Sequence, residues 1–130
     1  IGNKKISSHE WQSPLNNIEE SCTTCHRNGT QWLKGRVETI QNQVKTTQDM
    51  AGWAVVEAIN ELKLSREAGV DEAKLQEAMK LHRKAQWYLD FVAVTNGYGF
   101  HNPTETLTNL AVAIESAHQS AELSREARLK

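Results

Sequence analysis

Apolar residues recur at steps of three and four through the middle of this chain, at Leu33, Val37, Ile40, Val44, Ala51, Ala54, Ala58 and Leu62. Such steps mark one face of an α-helix, and the stripe breaks only at Thr47. The pattern predicts one helix over residues 31–68 with Thr30 as its cap, about 55 Å long at 1.5 Å per residue. A helix that long in a domain this small must lie against another long helix, from this chain or from a second copy.

Gly69 then suits the position after a helix end, Asp71 suits an N-cap, and Val70 and Leu75 stand in the relation of a hydrophobic staple. A second helix is expected over residues 72–95, with Leu75, Ala78, His82, Ala85, Leu89 and Val92 inward and Leu81, Tyr88 and Phe91 widening the face. Asn96-Gly97-Tyr98-Gly99 is turn chemistry. Asn102 at the cap, Pro103 at the first helical position and Glu105 two residues on start a third helix over 103–128. Its inward stripe is Leu107, Leu110, Ala111, Ile114, Ala117 and Ala121, small enough in places for close helix approach.

Residues 1–21 hold no sustained period and include Gly2 and Pro14, which reads as a looping approach in which Asn16 or Asn17 caps a short helix through Ile18. The fold class is therefore all-α. Three main helices follow an irregular N-terminal segment, in one helical domain over residues 1–130, with 1–30 as the segment and 31–130 as the bundle.

Composition narrows the function. The 130 residues suit one domain, and no apolar run is long enough to insert into a membrane. Fifteen basic against sixteen acidic residues leave a net charge of −1, which provides no electrostatic footprint for nucleic acid or an anionic surface.

Both cysteines of the chain fall in Cys22-Thr23-Thr24-Cys25-His26, the C-x-x-C-H pattern of c-type haem attachment. Two thiols three positions apart can each bond one vinyl group on a haem edge, and the next side chain then supplies a neutral imidazole to the iron. A thioredoxin-like dithiol would need a βαβ setting, and none is present. A zinc site would need a second ligand pair at regular spacing, and His9, His82, His101 and His118 are too scattered. The expected cofactor is one haem c, held by Cys22, Cys25 and His26.

The other histidines differ in setting. His9 stands in the N-terminal segment, either solvated or a ligand; His82 lies on an apolar stripe, where packing competes with ligation; His118 flanks the third helix and reads as surface. His101 precedes a helix N-terminus, whose positive dipole end disfavours imidazolium and leaves a lone pair free for a metal.

Covalent haem attachment occurs on the exported side of a membrane, which makes a periplasmic location the expectation. The opening Ile1-Gly2-Asn3 lacks a signal segment, and the ending through Lys130 still reads as helix. The chain is accordingly expected to be a piece of a longer protein.

C-T-T-C-H at 22–26, a long helix, A-Q-W-Y-L-D-F at 85–91 and G-F-H-N-P at 99–103 with Leu107 and Leu110 form an ordered series. In this series the chain resembles the C-terminal part of the pentahaem cytochrome c nitrite reductases, periplasmic enzymes that reduce nitrite to ammonia; octahaem relatives share the same helical end. The resemblance implies that Cys22, Cys25 and His26 bind the last haem, near a dimer interface of long helices. His9 and His101 are similar to distal ligands of other haems, and the sixth ligand of the His26 iron is left to water, His82, His101 or a neighbouring chain. It implies as partners the rest of the multihaem chain, a second copy and a redox donor protein. The family's active site lies in the portion missing here, and so this stretch alone is not expected to reduce nitrite. A different class of function stays open, a stand-alone monohaem cytochrome or gas-binding sensor module.

Overall fold

A computed structural model describes residues 12–129, and among them every regular element is helical. A 3₁₀ turn over Pro14–Asn17 leads into the short helix α1 (Ile18–Ser21), followed by α2 (Thr30–Glu67), α3 (Glu72–Ala93) and α4 (Pro103–Leu129). The all-α expectation is met, with the three long helices within two residues of their expected ends. Contacts divide the chain into two compact units between Glu38 and Thr39.

In the first unit, the region before the motif is more regular than its irregular reading. Pro14 pre-sets the first residue of the 3₁₀ turn, and the hydroxyl of Ser13 accepts from the Leu15 N–H at 3.3 Å. Asn17 precedes α1 but makes no capping bond; its amide donates instead to Glu20 Oε2 at 2.8 Å. Thr30 is likewise not the cap of α2. The carbonyl of Gly29 accepts the first helical bond, from Leu33 N–H at 3.1 Å, which makes Thr30 the first helical residue.

The second unit is a three-helix bundle. Val44 and Ala51 of α2 meet Val92 of α3 and Leu110 and Ala113 of α4; Leu62 meets Leu75 and Ala78, with Leu123 and Ala127 beside them. These pairings set α2 and α4 parallel and α3 antiparallel to both. Between those layers lies one built of small residues, Ala54, Val55, Ala58, Ala85 and Ala117, which bring the helix axes close. Fully burying one of the larger side chains, such as Leu75 or Leu110, contributes about 2 kcal/mol.

The connections follow from chemistry at the helix ends. Gly69 adopts φ +79°, and its N–H and that of Val70 donate to Arg66 and Ser65 carbonyls at 2.9 and 3.1 Å, a Schellman end to α2. Asp71 then caps α3 through Ala73 N–H at 2.8 Å, while Val70 packs against the cluster of Leu62, Leu75 and Ala78, on the side the staple requires. α3 stops at Ala93, two residues before its expected end. The Thr95 hydroxyl and N–H both turn back onto the Val92 carbonyl, at 2.8 and 3.2 Å, and a left-handed triplet follows.

Four inward assignments change. Ala111 and Phe91 are exposed, whereas Val55 and Ala113, absent from the expected stripes, are buried. In α4 the inward positions include Ser116, Ser120 and Ser124, each at most 2 % exposed.

Candidate functional site

The C-x-x-C-H motif continues the turn that α1 begins. Cys22 N–H donates to the Ile18 carbonyl at 2.8 Å, and the hydroxyls of Thr23 and Thr24 donate to the carbonyls of Glu19 and Glu20 at 2.5 and 3.2 Å. The Cys22 carbonyl in turn accepts from Cys25 N–H at 3.2 Å and His26 N–H at 2.9 Å. Every carbonyl that α1 would leave orphaned from Ile18 to Glu20 is thus satisfied within the motif. The residues between the cysteines, to which the sequence analysis gave no role, are the end cap of the helix that presents them; a hydroxyl four residues after a carbonyl was the available signal.

This turn brings Cys22, Cys25 and His26 onto one short segment. Both cysteines are free thiols, Cys22 half-buried and Cys25 exposed, and the His26 side chain is exposed as well. Among the described residues no three His, Cys, Asp or Glu side chains gather as a metal cage. Two accessible thiols and one imidazole fit haem c: the thiols would bond the macrocycle edge and the imidazole would ligate the iron, whose other nitrogen donors belong to the macrocycle itself, so that no protein cage is needed.

His101 occupies the connection between α3 and α4. Gly97, Tyr98 and Gly99 have φ of +79°, +49° and +71°. Gly99 is buried so tightly that a Cβ there would lie 2.8 Å from Val44 Cγ2 and 3.0 Å from Thr106 Cγ2, which fixes glycine at the position. Asn102 Oδ1 accepts from Glu105 N–H at 3.2 Å and its amide donates to Glu105 Oε2 at 2.7 Å, the reciprocal cap expected from the sequence. His101 is exposed beside Phe100, ring centroids 5.7 Å apart. It lines a 190 Å³ cleft with Phe91, Asn96, Glu105 and Asn109. An exposed imidazole at the edge of a largely apolar cleft fits a ligand to a flat cofactor brought by another part of a protein.

His82 is set differently. It lies on the inner side of α3, about 16 Å along the helix from its end, and Nε2 is enclosed without a hydrogen-bond partner. Burial, and then the charges of Arg83 and Arg66, hold its pKa below the ordinary imidazole value. His118 is exposed, with Nδ1 3.8 Å from Glu57. His9 lies outside the described residues.

Comparison with known proteins gives concordant matches. The family model for cytochrome c552 matches residues 1–129. Cytochrome c-552 of Maridesulfovibrio salexigens is 36 % identical over 119 residues, 92 % of this chain and 24 % of that protein. The cytochrome c nitrite reductase subunit NrfA of Nitratidesulfovibrio vulgaris is 35 % identical over 132 residues, 95 % of this chain and 25 % of that protein. Among solved structures, the cytochrome c nitrite reductase catalytic subunit (NrfA) of Desulfovibrio desulfuricans superposes with a TM-score of 0.81 at 28 % identity, over 88 % of this chain and 26 % of that one. The chain spans about a quarter of the length of these relatives.

Proposed function

Because the chain belongs to the cytochrome c552 family, we propose that it is the C-terminal, haem-carrying electron-relay portion of a larger multihaem, ammonia-forming nitrite reductase of the periplasm. Membership brings covalent haem c with it; the assignment of one site, to Cys22, Cys25 and His26, is part of the proposal. The observation that carries it is the self-capped turn at residues 18–26, which offers two free thiols and an imidazole with no competing bond between the cysteines.

When bound, haem c supplies a reversible one-electron iron couple. The Cys22 and Cys25 sulfurs would hold the macrocycle edge as thioethers, and His26 would give a nitrogen lone pair to the iron. The threonine hydroxyls between them keep the turn closed, so that the three groups stay together. His101 and His9 serve other haems of the larger protein as distal ligands. For His101 its exposure and the neighbouring cleft support the role. His82 is the weaker candidate for a sixth ligand, since its enclosed Nε2 offers no open approach.

Met50, Trp53, Val56 and Leu64 lie exposed on α2 away from the bundle core, and this apolar face supports pairing of two copies through their long helices. A redox donor protein delivers electrons to such an assembly. No helix among the described residues is long and apolar enough to cross a membrane.

The test is mass spectrometry of the chain made in a host with c-type haem maturation. One haem per polypeptide, lost in the Cys22→Ala/Cys25→Ala chain, is expected. A bare polypeptide mass with both thiols open to alkylation would refute the proposal.

A further inference from the structure

We infer that Gln41 is a positioning residue for His101: from α2 its side-chain amide fixes the α3–α4 connection in the conformation that offers the imidazole as a metal ligand beside the cleft. The inference rests on the reading of His101 as a ligand and adds the device that aims it.

Three consecutive left-handed residues do not specify themselves. Gly97 and Gly99 adopt either sign of φ at little cost, and Tyr98, at φ +49°, resists its own. The connection therefore needs bonds from outside itself. Gly99 is held by packing against Val44 and Thr106, and the start of α4 by Asn102. Gly97 is held through its carbonyl, which accepts two hydrogen bonds at 3.1 Å. One comes from Phe100 N–H and closes the turn that leads into His101. The other comes from Gln41 Nε2, a partly buried donor 56 residues earlier in the chain.

The imidazole also borders the space that the absent side chain of Gly97 leaves open. A Cβ at Gly97 would stand 3.3 Å from His101 Cδ2 and 3.6 Å from Nε2. Fixing the Gly97 carbonyl thus fixes the turn that carries the ring, and both lone pairs of that carbonyl are engaged in doing so. A ligand delivered in a settled orientation binds without first losing the freedom of its loop.

The test uses the haem-loaded 130-residue chain and, as probe, a monomeric ferric haem peptide with one histidine ligand and one open axial position. Binding is read from the high-spin to low-spin shift of the probe's absorption, and His101→Ala sets the background from other groups. Gln41→Glu keeps the shape and removes the donor; Gln41→Lys restores a donor. Gln41→Glu is expected to weaken the His101-dependent binding about fivefold, as loss of one hydrogen bond implies, and to speed amide exchange at Phe100 by a similar factor. Gln41→Lys should recover both, and Leu110 exchange should not move in either variant. Gly97→Ala, with Gln41 intact, should give a comparable loss of binding by crowding the ring. If Gln41→Glu binds the probe and exchanges at Phe100 as the parent does, while His101→Ala abolishes binding, the positioning role is overturned and the ligand reading survives. If His101→Ala binds as the parent does, both fall.

Discussion

His82 shows what a single residue costs when its partners lie out of reach. Nε2 is enclosed and unpaired, and burial with Arg83 and Arg66 disfavours the imidazolium form. The unfolded chain therefore takes up a proton at this residue at higher pH than the folded one. The contribution of the neutral ring to stability is complete above the ordinary value of 6.5 and is lost as pH falls from there towards the lowered folded value. His82→Leu removes both the titration and the unpaired atom. Its urea midpoint should rise by the equivalent of about 1 kcal/mol at pH 7.5, with a smaller fall on going to pH 5.5 than the parent shows. A lower midpoint with unchanged pH dependence would contradict this account. The sequence placed His82 on the inner stripe correctly; that nothing on the facing helices reaches Nε2 is a property of packing.

Helix ends were legible because their chemistry is local. Gly69, Asp71, Asn102 and Pro103 act on backbone groups within a few residues, and each occupies the role its type predicts. Asn102→Ala should cost about 1 kcal/mol in thermal denaturation, since the cap bonds to Glu105 go with it. The serine positions were not legible. Ser65, Ser120 and Ser124 are fully buried, and hydropathy alone assigns serine to no face of a helix. Their hydroxyls are satisfied at 2.7–2.8 Å by carbonyls: Ser120 donates to Ala78 across helices, Ser124 to Ser120, and Ser65 reaches Ser124 while accepting from Arg128 at 2.9 Å. Arg128 also pairs with Glu61, and Arg125 with Glu57 and Glu61, closing the α2–α4 seam; the bond from Arg128 holds the Glu61 carboxyl below its usual range. Ser120→Ala should lose about 1 kcal/mol as its hydrogen bond across to the Ala78 carbonyl is lost. Ser120→Val should lose more, because the seam has no room for the added methyl groups.

For the whole molecule, the division between Glu38 and Thr39 puts the C-x-x-C-H segment in one compact unit and the clustered core of the bundle in the other. The clustered core residues run from Val44 to Ala127 and include none of the motif. The Cys22→Ala/Cys25→Ala chain should therefore keep the far-UV dichroism of the parent while losing its visible absorption; collapse of helicity would show the bundle to depend on the cofactor. The length of α2 called for partners, and α3 and α4 supply them along the inner face from Val44 to Leu62. Trp53, 72 % exposed, marks the face they leave uncovered. Trp53→Glu should shift sedimentation from dimer to monomer at micromolar concentration, and a parent chain already monomeric there would remove the pairing.

By itself the sequence determined the helices, the caps at Asp71 and Asn102 and the C-x-x-C-H segment, because each depends on residues a turn or two apart. Only the tertiary structure decided which small polar residues turn inward, that α4 runs parallel to α2, that His82 lacks a partner and that Gln41 reaches Gly97. Those outcomes depend on which groups arrive from distant parts of the chain, and spacing along one helix carries no record of what the facing helix presents.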